Sequence, residues 1–494
     1  MKLTVLGAVA LPIVAAHSVQ ERHNFARQNA AAAPASSSVA SVAASSAVAS
    51  SAAASGSVVA SGSAVASSAA ATFSSLPTVS WSLLSTNPTA VPISDLVPGT
   101  LTTQPQLGAS TTFAPGTQPT VISNAPPLPN WQTLSPASYP TLDRAPPTDS
   151  PEVQQWIKEV NASGIAIPNL APTQPGGCAA NPQFAADQSR CWWTCGGCVR
   201  DSDISDCPDP YTWGLTYDDG PALYTPNLLN YLDQNDLKST FFAVGSRVIS
   251  YPALLQEEYM AGHQIAVHTW SHPAMTTVST EGIIAELGWS KKVIKDVLGV
   301  TPLYWRPPYG DIDDRVRAIS KAMGLEPIMW TRISPTATFD TGDFNVAGGT
   351  TSASQVLQNW QNIMGNVSTL GHGFIVLEHD LFAQTVDIAT GYILPDALAF
   401  TPKLDIKPVI SCLNKPMSDA YLETNDNSSN PLPTASSVNP TFSSGQTGSA
   451  QATGNTSGNT ATNQSGAVAV GVSSSLFMAG VSFVAFFAGL AVLL

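Results

Sequence analysis

Trp213-Gly214-Leu215-Thr216-Tyr217-Asp218-Asp219-Gly220-Pro221 reads as a short apolar strand that stops at two adjacent carboxylates and a Gly-Pro turn. Two carboxylates at a strand end can divide one task, one taking a proton and the other holding a cation. Asp before Gly-Pro is also an ordinary turn residue, so the run acquires meaning only from its companions. They follow in order. His268-Thr269-Trp270-Ser271-His272 offers two imidazoles four residues apart, and Arg306-Pro307-Pro308-Tyr309, Asp340-Thr341-Gly342-Asp343 and Leu377-Glu378-His379 come further downstream.

Asp219, His268 and His272 supply one hard oxygen and two imidazoles, a set that suits a divalent transition metal, Zn²⁺ or Co²⁺, and leaves positions open for water and substrate. A helical turn would put both rings on one side; the bland alternative is a pair of surface or capping histidines. Asp218 is the candidate base toward a water whose pKa the metal lowers. Arg306, close to a strand end, would pair with Asp218 and hold it as an oriented carboxylate. Cleaving an amide also needs an acid, because an amine leaves badly unless protonated. His379, just after an apolar strand, is the candidate.

From residue 211 the pattern alternates strand and helix. Strands are expected at 213–217, 239–244, 264–268, 303–306, 327–331, 374–377 and 407–411. Helices are expected at 280–298 and 311–323, with weaker patterns at 351–369 and 395–400. Strand, helix, strand over this length predicts an α/β fold with a parallel sheet, open or closed as a barrel. Each motif lies just after an expected strand, which is where such folds keep their chemistry.

In this order the motifs resemble the polysaccharide deacetylases of the NodB-homology type, and within them the fungal chitin deacetylases. The resemblance covers roughly residues 208–412, together with the Cys-rich stretch before it. It implies a distorted (β/α) barrel of seven or eight strands. It further implies that the Tyr309 backbone N–H helps hold an oxyanion, that Asp343 orients and tunes His379, and that Leu377 lines the pocket for the acetyl methyl. Phe344 departs from the pattern, standing where the family commonly has Trp. That puts the shape of the acetate pocket and the placement of Asp343 in question.

The ends point outside the cell. Residues 1–16 read as a signal peptide, with Lys2 before an apolar stretch too short to span a bilayer. Residues 466–494 end in an uncharged apolar tail and read as a GPI-anchor signal, with Ser465 as the candidate anchor site; an ordinary membrane helix is the other reading. Residues 17–150 are Ala/Ser-rich and then Pro-rich without a periodic apolar face, and residues 416–465 are Ser/Thr-rich. Both are expected to be disordered linkers. Between them lie a Cys-rich extension, 151–207, and a catalytic domain, 208–415. Sequons at Asn161, Asn366, Asn427, Asn455 and Asn463 fit a secreted glycoprotein.

Cys178, Cys191, Cys195, Cys198 and Cys207 crowd together and Cys412 stands apart; six cysteines in an oxidising compartment suggest three disulfides, with Cys412 reaching back to one of the five. Cys195-Gly196-Gly197-Cys198 could instead be a redox pair. Trp192 and Trp193 could stack on sugars, though in a small disulfide-rich segment they are expected to supply core.

A net charge of −14 argues against nucleic acid as a partner and could help retain a cationic product. The expected reaction is metal-assisted removal of N-acetyl groups from N-acetylglucosamine units of chitin, at a cell surface to which a GPI lipid holds the chain, in the membrane and wall. An O-acetyl-xylan or other polysaccharide esterase is the enzymatic alternative. A wall mannoprotein that binds chitin without turning it over is the non-catalytic one.

Overall fold

The computed structural model describes residues 81–99, 104–334 and 337–428. The expected signal peptide, the GPI signal, Asn455, Asn463 and Ser465 lie outside the described residues. The strands are β1 (Thr212–Gly214), β2 (Thr216–Asp218), β3 (Thr240–Ala243), β4 (Gln264–Val267), β5 (Tyr304–Trp305), β6 (Glu326–Pro327), β7 (Arg332–Ser334), β8 (Ala337–Thr338), β9 (Phe374–Ile375) and β10 (Asp405–Lys407). They form a five-stranded sheet ordered β2-β3-β4-β5-β6, a three-stranded sheet ordered β10-β1-β9, and the hairpin β7-β8.

Every pair in the two larger sheets is parallel, with Asp218 opposite Phe242 and Val267 opposite Trp305. Parallel strands need crossovers, and packed helices supply them, so β3 and β4 are buried throughout. Leu215 joins the sheets: its N–H donates to Lys407 at 3.0 Å and its carbonyl accepts from Thr240 at 2.9 Å.

The helix Thr280–Leu298 forms as the periodicity predicts. Ser279 caps its first turn, its hydroxyl accepting from the Gly282 N–H at 3.1 Å, and Gly299 closes it at φ 81°. Ile283, Ile284, Leu287, Val293, Ile294 and Val297 are all buried. The Cys-rich extension is part of this core. Trp156, on the helix Pro151–Ala162, lies so close to Gly288 that a Cβ there would sit 2.2 Å from its ring.

Three disulfides close the framework: Cys178–Cys195, Cys191–Cys198 and Cys207–Cys412. Cys195 and Cys198 therefore have different partners and form no redox pair. Trp192 and Trp193 are buried, Trp192 donating to Asp311 at 2.7 Å and Trp193 meeting Trp330 edge-on.

The expected linker from 17 to 150 is corrected by what is described of it. Residues 81–99 and 104–150 run along the domain with little regular structure and bury Val91, Leu96, Ile122, Ala125 and Leu128. Domain groups satisfy their backbone: Asn87 N–H donates to Gly391 at 2.8 Å, Ser110 N–H to Glu257 at 2.9 Å, and the Val91 carbonyl accepts from Tyr392 at 2.6 Å. An extended chain that buries single side chains in separate grooves leaves no period to read, yet each buried Val, Leu or Ile contributes about 1.5–3 kcal/mol.

Several boundaries also move: the strand expected at 213–217 is split into β1 and β2, that at 327–331 is confined to Glu326–Pro327, and two shift near the C-terminal end. The strand expected at 407–411 stops at Lys407, because Pro408 begins the turn Val409–Cys412, whose first amides donate to Thr240 and Gln264 side chains at 2.9 and 2.8 Å. The domain runs past residue 415: buried Tyr421 accepts the Ile265 N–H at 2.9 Å.

Candidate active site

The parallel register brings the motifs to one end of the sheet. Asp218 ends β2, His268 follows β4 and Arg306 follows β5, while His379 pairs across from Asp218 in a parallel bridge. Asp219, His268 and His272 form a group whose ligand atoms lie within 4.8 Å of one another. Asp219 Oδ1 is 3.0 Å from His272 Nε2 and 3.4 Å from His268 Nε2.

The two histidines are not on a helical turn, as the spacing suggested. Thr269 and His272 take φ values of 65° and 62°, and this left-handed loop folds the second ring back toward the first, with centroids 4.9 Å apart. Asp219 at φ 82° and Tyr309 at φ 60° share the same conformation. Side chains adopt it at a cost of about 1–2 kcal/mol, and its clustering here marks a site whose geometry the surrounding packing enforces.

His268 Nδ1 lies 2.8 Å from the Arg306 carbonyl, which can only accept, so Nδ1 carries a proton and Nε2 is the nitrogen that faces Asp219. Asp219 Oδ1 is buried without a hydrogen-bond partner among the described residues. Burial alone would raise the Asp219 pKa, but His272, His268 and Arg247 carry it well below the usual carboxylate range. Burial lowers that of His272. An ionised carboxylate oxygen with no donor, faced by two imidazole nitrogens, fits a divalent cation.

Arg306 is fully buried. It donates to Asp218 Oδ1 at 2.7 Å, to Thr216 Oγ1 at 2.9 Å, and to the carbonyls of Ile328 and Met329 at 3.2 and 3.0 Å. Asp218 Oδ2 is thereby left toward His268 Nε2, 3.7 Å away. On the other side His379 donates from Nδ1 to Asp343 at 2.7 Å. Burial opposes charge on this ring, but Asp343, Asp219 and Asp218 outweigh it and push its pKa up to about 10. Leu377 is buried, bridged to Asp340.

The profile of the polysaccharide deacetylases matches residues 205–328. Chitin deacetylase 1 of Cryptococcus neoformans var. grubii is 51% identical over 320 residues, which are 64% of this chain and 67% of that one. Chitin deacetylase 2 of Saccharomyces cerevisiae is 32% identical over 53% of this chain and 75% of its own length. The chain belongs to the polysaccharide deacetylase family. Among solved structures, the chitin deacetylase of Colletotrichum lindemuthianum aligns with 46% of this chain and 97% of its own at 26% identity, with a TM-score of 0.40.

The Trp-to-Phe departure in this deacetylase leaves the Asp343–His379 contact intact. The Phe344 ring packs 5.2 Å from that of His379 and 5.3 Å from Phe382. Two further residues reach the site. Arg247, four residues after β3, donates to the Asp219 carbonyl and lies 3.7 Å from its Oδ1. Glu286 accepts the backbone N–H groups of Trp270 and Ser271 at 2.9 and 2.8 Å and the Ser271 hydroxyl at 2.6 Å. The signal for Glu286 was a carboxylate on the apolar side of its helix, between Ile283 and Leu287; that for Arg247 was a cation just past a strand end.

Proposed function

We propose that this deacetylase hydrolyses N-acetyl groups of N-acetylglucosamine units in chitin, releasing acetate and leaving chitosan. The reading rests on one convergence: a three-ligand cation site, a carboxylate aligned by a buried arginine, and a carboxylate-held histidine, all at the carboxyl ends of parallel strands. Asp219, His268 and His272 would hold the ion, which we take to be Zn²⁺ or Co²⁺ from the donor set. Bound there, it supplies Lewis acidity to the amide carbonyl and to water.

The chain's own groups do the rest. Asp218 takes the proton of the water that adds to the carbonyl carbon, its free Oδ2 available because Arg306 occupies Oδ1. The Tyr309 backbone N–H, turned by its left-handed conformation, faces the developing oxyanion. When the C–N bond breaks, its electron pair stays on nitrogen, which takes a proton from His379; Asp343 holds that ring. Leu377 lines the acetyl pocket.

We further read the two sheets as arcs of one distorted barrel. Support comes from the Thr331 N–H, which donates to Ile375 at 3.0 Å, and from the Asp218–His379 bridge, which spans the other gap. The disulfides support an oxidising compartment, and we extend this to a secreted chain held at the cell surface and wall by a GPI lipid. Among the described residues no helix is long and apolar enough to cross a membrane.

The test is acetate release from chitin oligomers and from acetylated xylan, with chelation, Zn²⁺ add-back and Asp218→Asn. Acetate from chitin that vanishes on chelation and in the variant is expected. Release from xylan alone, or from neither polymer, overturns the reading.

A further inference from the structure

Trp270, between the two imidazoles in sequence, is fully buried, and part of what covers it comes from the proline-rich segment. Its ring stacks on Tyr139, with centroids 6.1 Å apart and planes 7° from parallel, and its indole N–H donates to the Thr141 carbonyl at 3.2 Å. Tyr139 is itself anchored: its hydroxyl donates to Asp296 at 2.7 Å on the helix Thr280–Leu298, and its ring meets Trp289 edge-on. Two residues beyond Thr141, Asp143 accepts from the Ser246 hydroxyl at 3.0 Å. Ser246 precedes Arg247, which reaches Asp219. The helix Gly245–Ser250 also presses on the histidine loop, since a Cβ on Gly245 would lie 2.7 Å from the Trp270 ring.

Residues 139–143 thus grip both the loop that carries His268 and His272 and the short helix Gly245–Ser250, whose Arg247 steadies Asp219. We infer that they are a positioning strap for the metal site: Tyr139, Thr141 and Asp143 set its affinity for the ion although none is among the three ligand residues. The physical reason is the strained backbone. A loop with two left-handed non-glycine residues relaxes unless packing opposes it, and the Tyr139–Trp270 stack supplies packing at its centre. This inference rests on the metal reading above. It also means that a chain trimmed to the expected catalytic domain, or beginning at residue 151, lacks part of its site.

The experiment is a visible-absorption titration of the full chain with Co²⁺, reading the dissociation constant, alongside thermal unfolding. Tyr139→Ala is expected to weaken Co²⁺ binding about tenfold, the low end for partners that orient metal ligands, and Tyr139→Phe, which keeps the stack, to weaken it much less. Leu96→Ala, a cavity at a buried position elsewhere in the proline-rich part of the chain, is expected to lower the unfolding temperature without changing the Co²⁺ constant. If Tyr139→Ala does not fold, Asp143→Ala serves as the second arm, with weakened Co²⁺ binding expected. Unchanged binding in the Tyr139 or Asp143 variant, or an equal loss in Leu96→Ala, overturns the strap. An unmodified chain that binds no Co²⁺ overturns the metal reading itself and the strap with it.

Discussion

Asp343 holds both the ring and the backbone of His379: Oδ1 accepts from the imidazole Nδ1 at 2.7 Å and Oδ2 from the main-chain N–H at 2.9 Å. One carboxylate thus sets the tautomer, leaves Nε2 for the leaving nitrogen, and supplies the charge that favours the imidazolium.

The first prediction follows from that charge. His379 has a raised pKa, so the acid form persists through neutral pH and activity falls as pH rises through the pKa. A cation at Asp219 offsets part of the attraction, so the alkaline limb of the loaded enzyme lies below the value of about 10. Asp343→Asn removes a negative charge and is expected to move this limb down by about one unit or more, with a lower kcat. A pH profile with an unmoved alkaline limb contradicts the role.

Arg306 supports a different expectation. Its guanidinium and the Asp218 carboxylate are both buried, so removing one partner strands the other. Arg306→Ala should cost about 3–5 kcal/mol in urea unfolding and abolish activity. Arg306→Lys should keep the charge but lose the fork that reaches Thr216, Asp218 and two carbonyls at once. A lysine variant with full activity would show that charge alone suffices.

Glu286 makes stability depend on pH. Burial raises its pKa to about 7 from an unfolded value near 4.5. The sign follows from a raised acid: the folded form keeps a proton that the unfolded chain has released. Its contribution is therefore fully present below pH 4.5 and is lost as pH rises through about 7, a change of about 3 kcal/mol. Unfolding of the unmodified chain and of Glu286→Gln, compared at pH 5 and pH 7.5, measures it. Equal pH dependence in both would remove Glu286 as the source.

The Cys207–Cys412 bond closes a loop of 205 residues. In the chain-entropy picture such a loop restricts the unfolded ensemble by about 5 kcal/mol. Replacing both cysteines by serine should lower the unfolding temperature by more than replacing the pair Cys191 and Cys198, whose separation is 7. The reverse order of the two unfolding temperatures would contradict the loop-length account.

The chemistry of this site was legible because it is carried by residue types with few other uses in such an order. The Asp218-Asp219 pair, the two histidines and Arg306 each stand where a strand pattern ends, and period-two and period-3.6 signals located those ends. The helix Thr280–Leu298 was legible from its continuous apolar face alone, and the structure adds the cap at Ser279 and the stop at Gly299. The loop geometry was not. Four residues spacing two histidines suggested a helical turn, but left-handed Thr269 and His272 bring the rings together instead, a shape held by contacts from Glu286, Gly245 and Ser246 that are distant in sequence.

By itself the sequence determined the α/β class, the order of the motifs and the donor set for a cation, since these depend on local periodicity and on the identity of side chains. The tertiary structure alone decided which cysteines pair, that Arg247 and Glu286 reach the site, and that residues 81–99 and 104–150 belong to the domain. Those outcomes depend on surfaces contributed by residues far apart in the chain: Tyr139 stands between Ser138 and Pro140 with no periodic apolar pattern around it, and it is half-buried because Trp270 and Trp289 are in place to receive it.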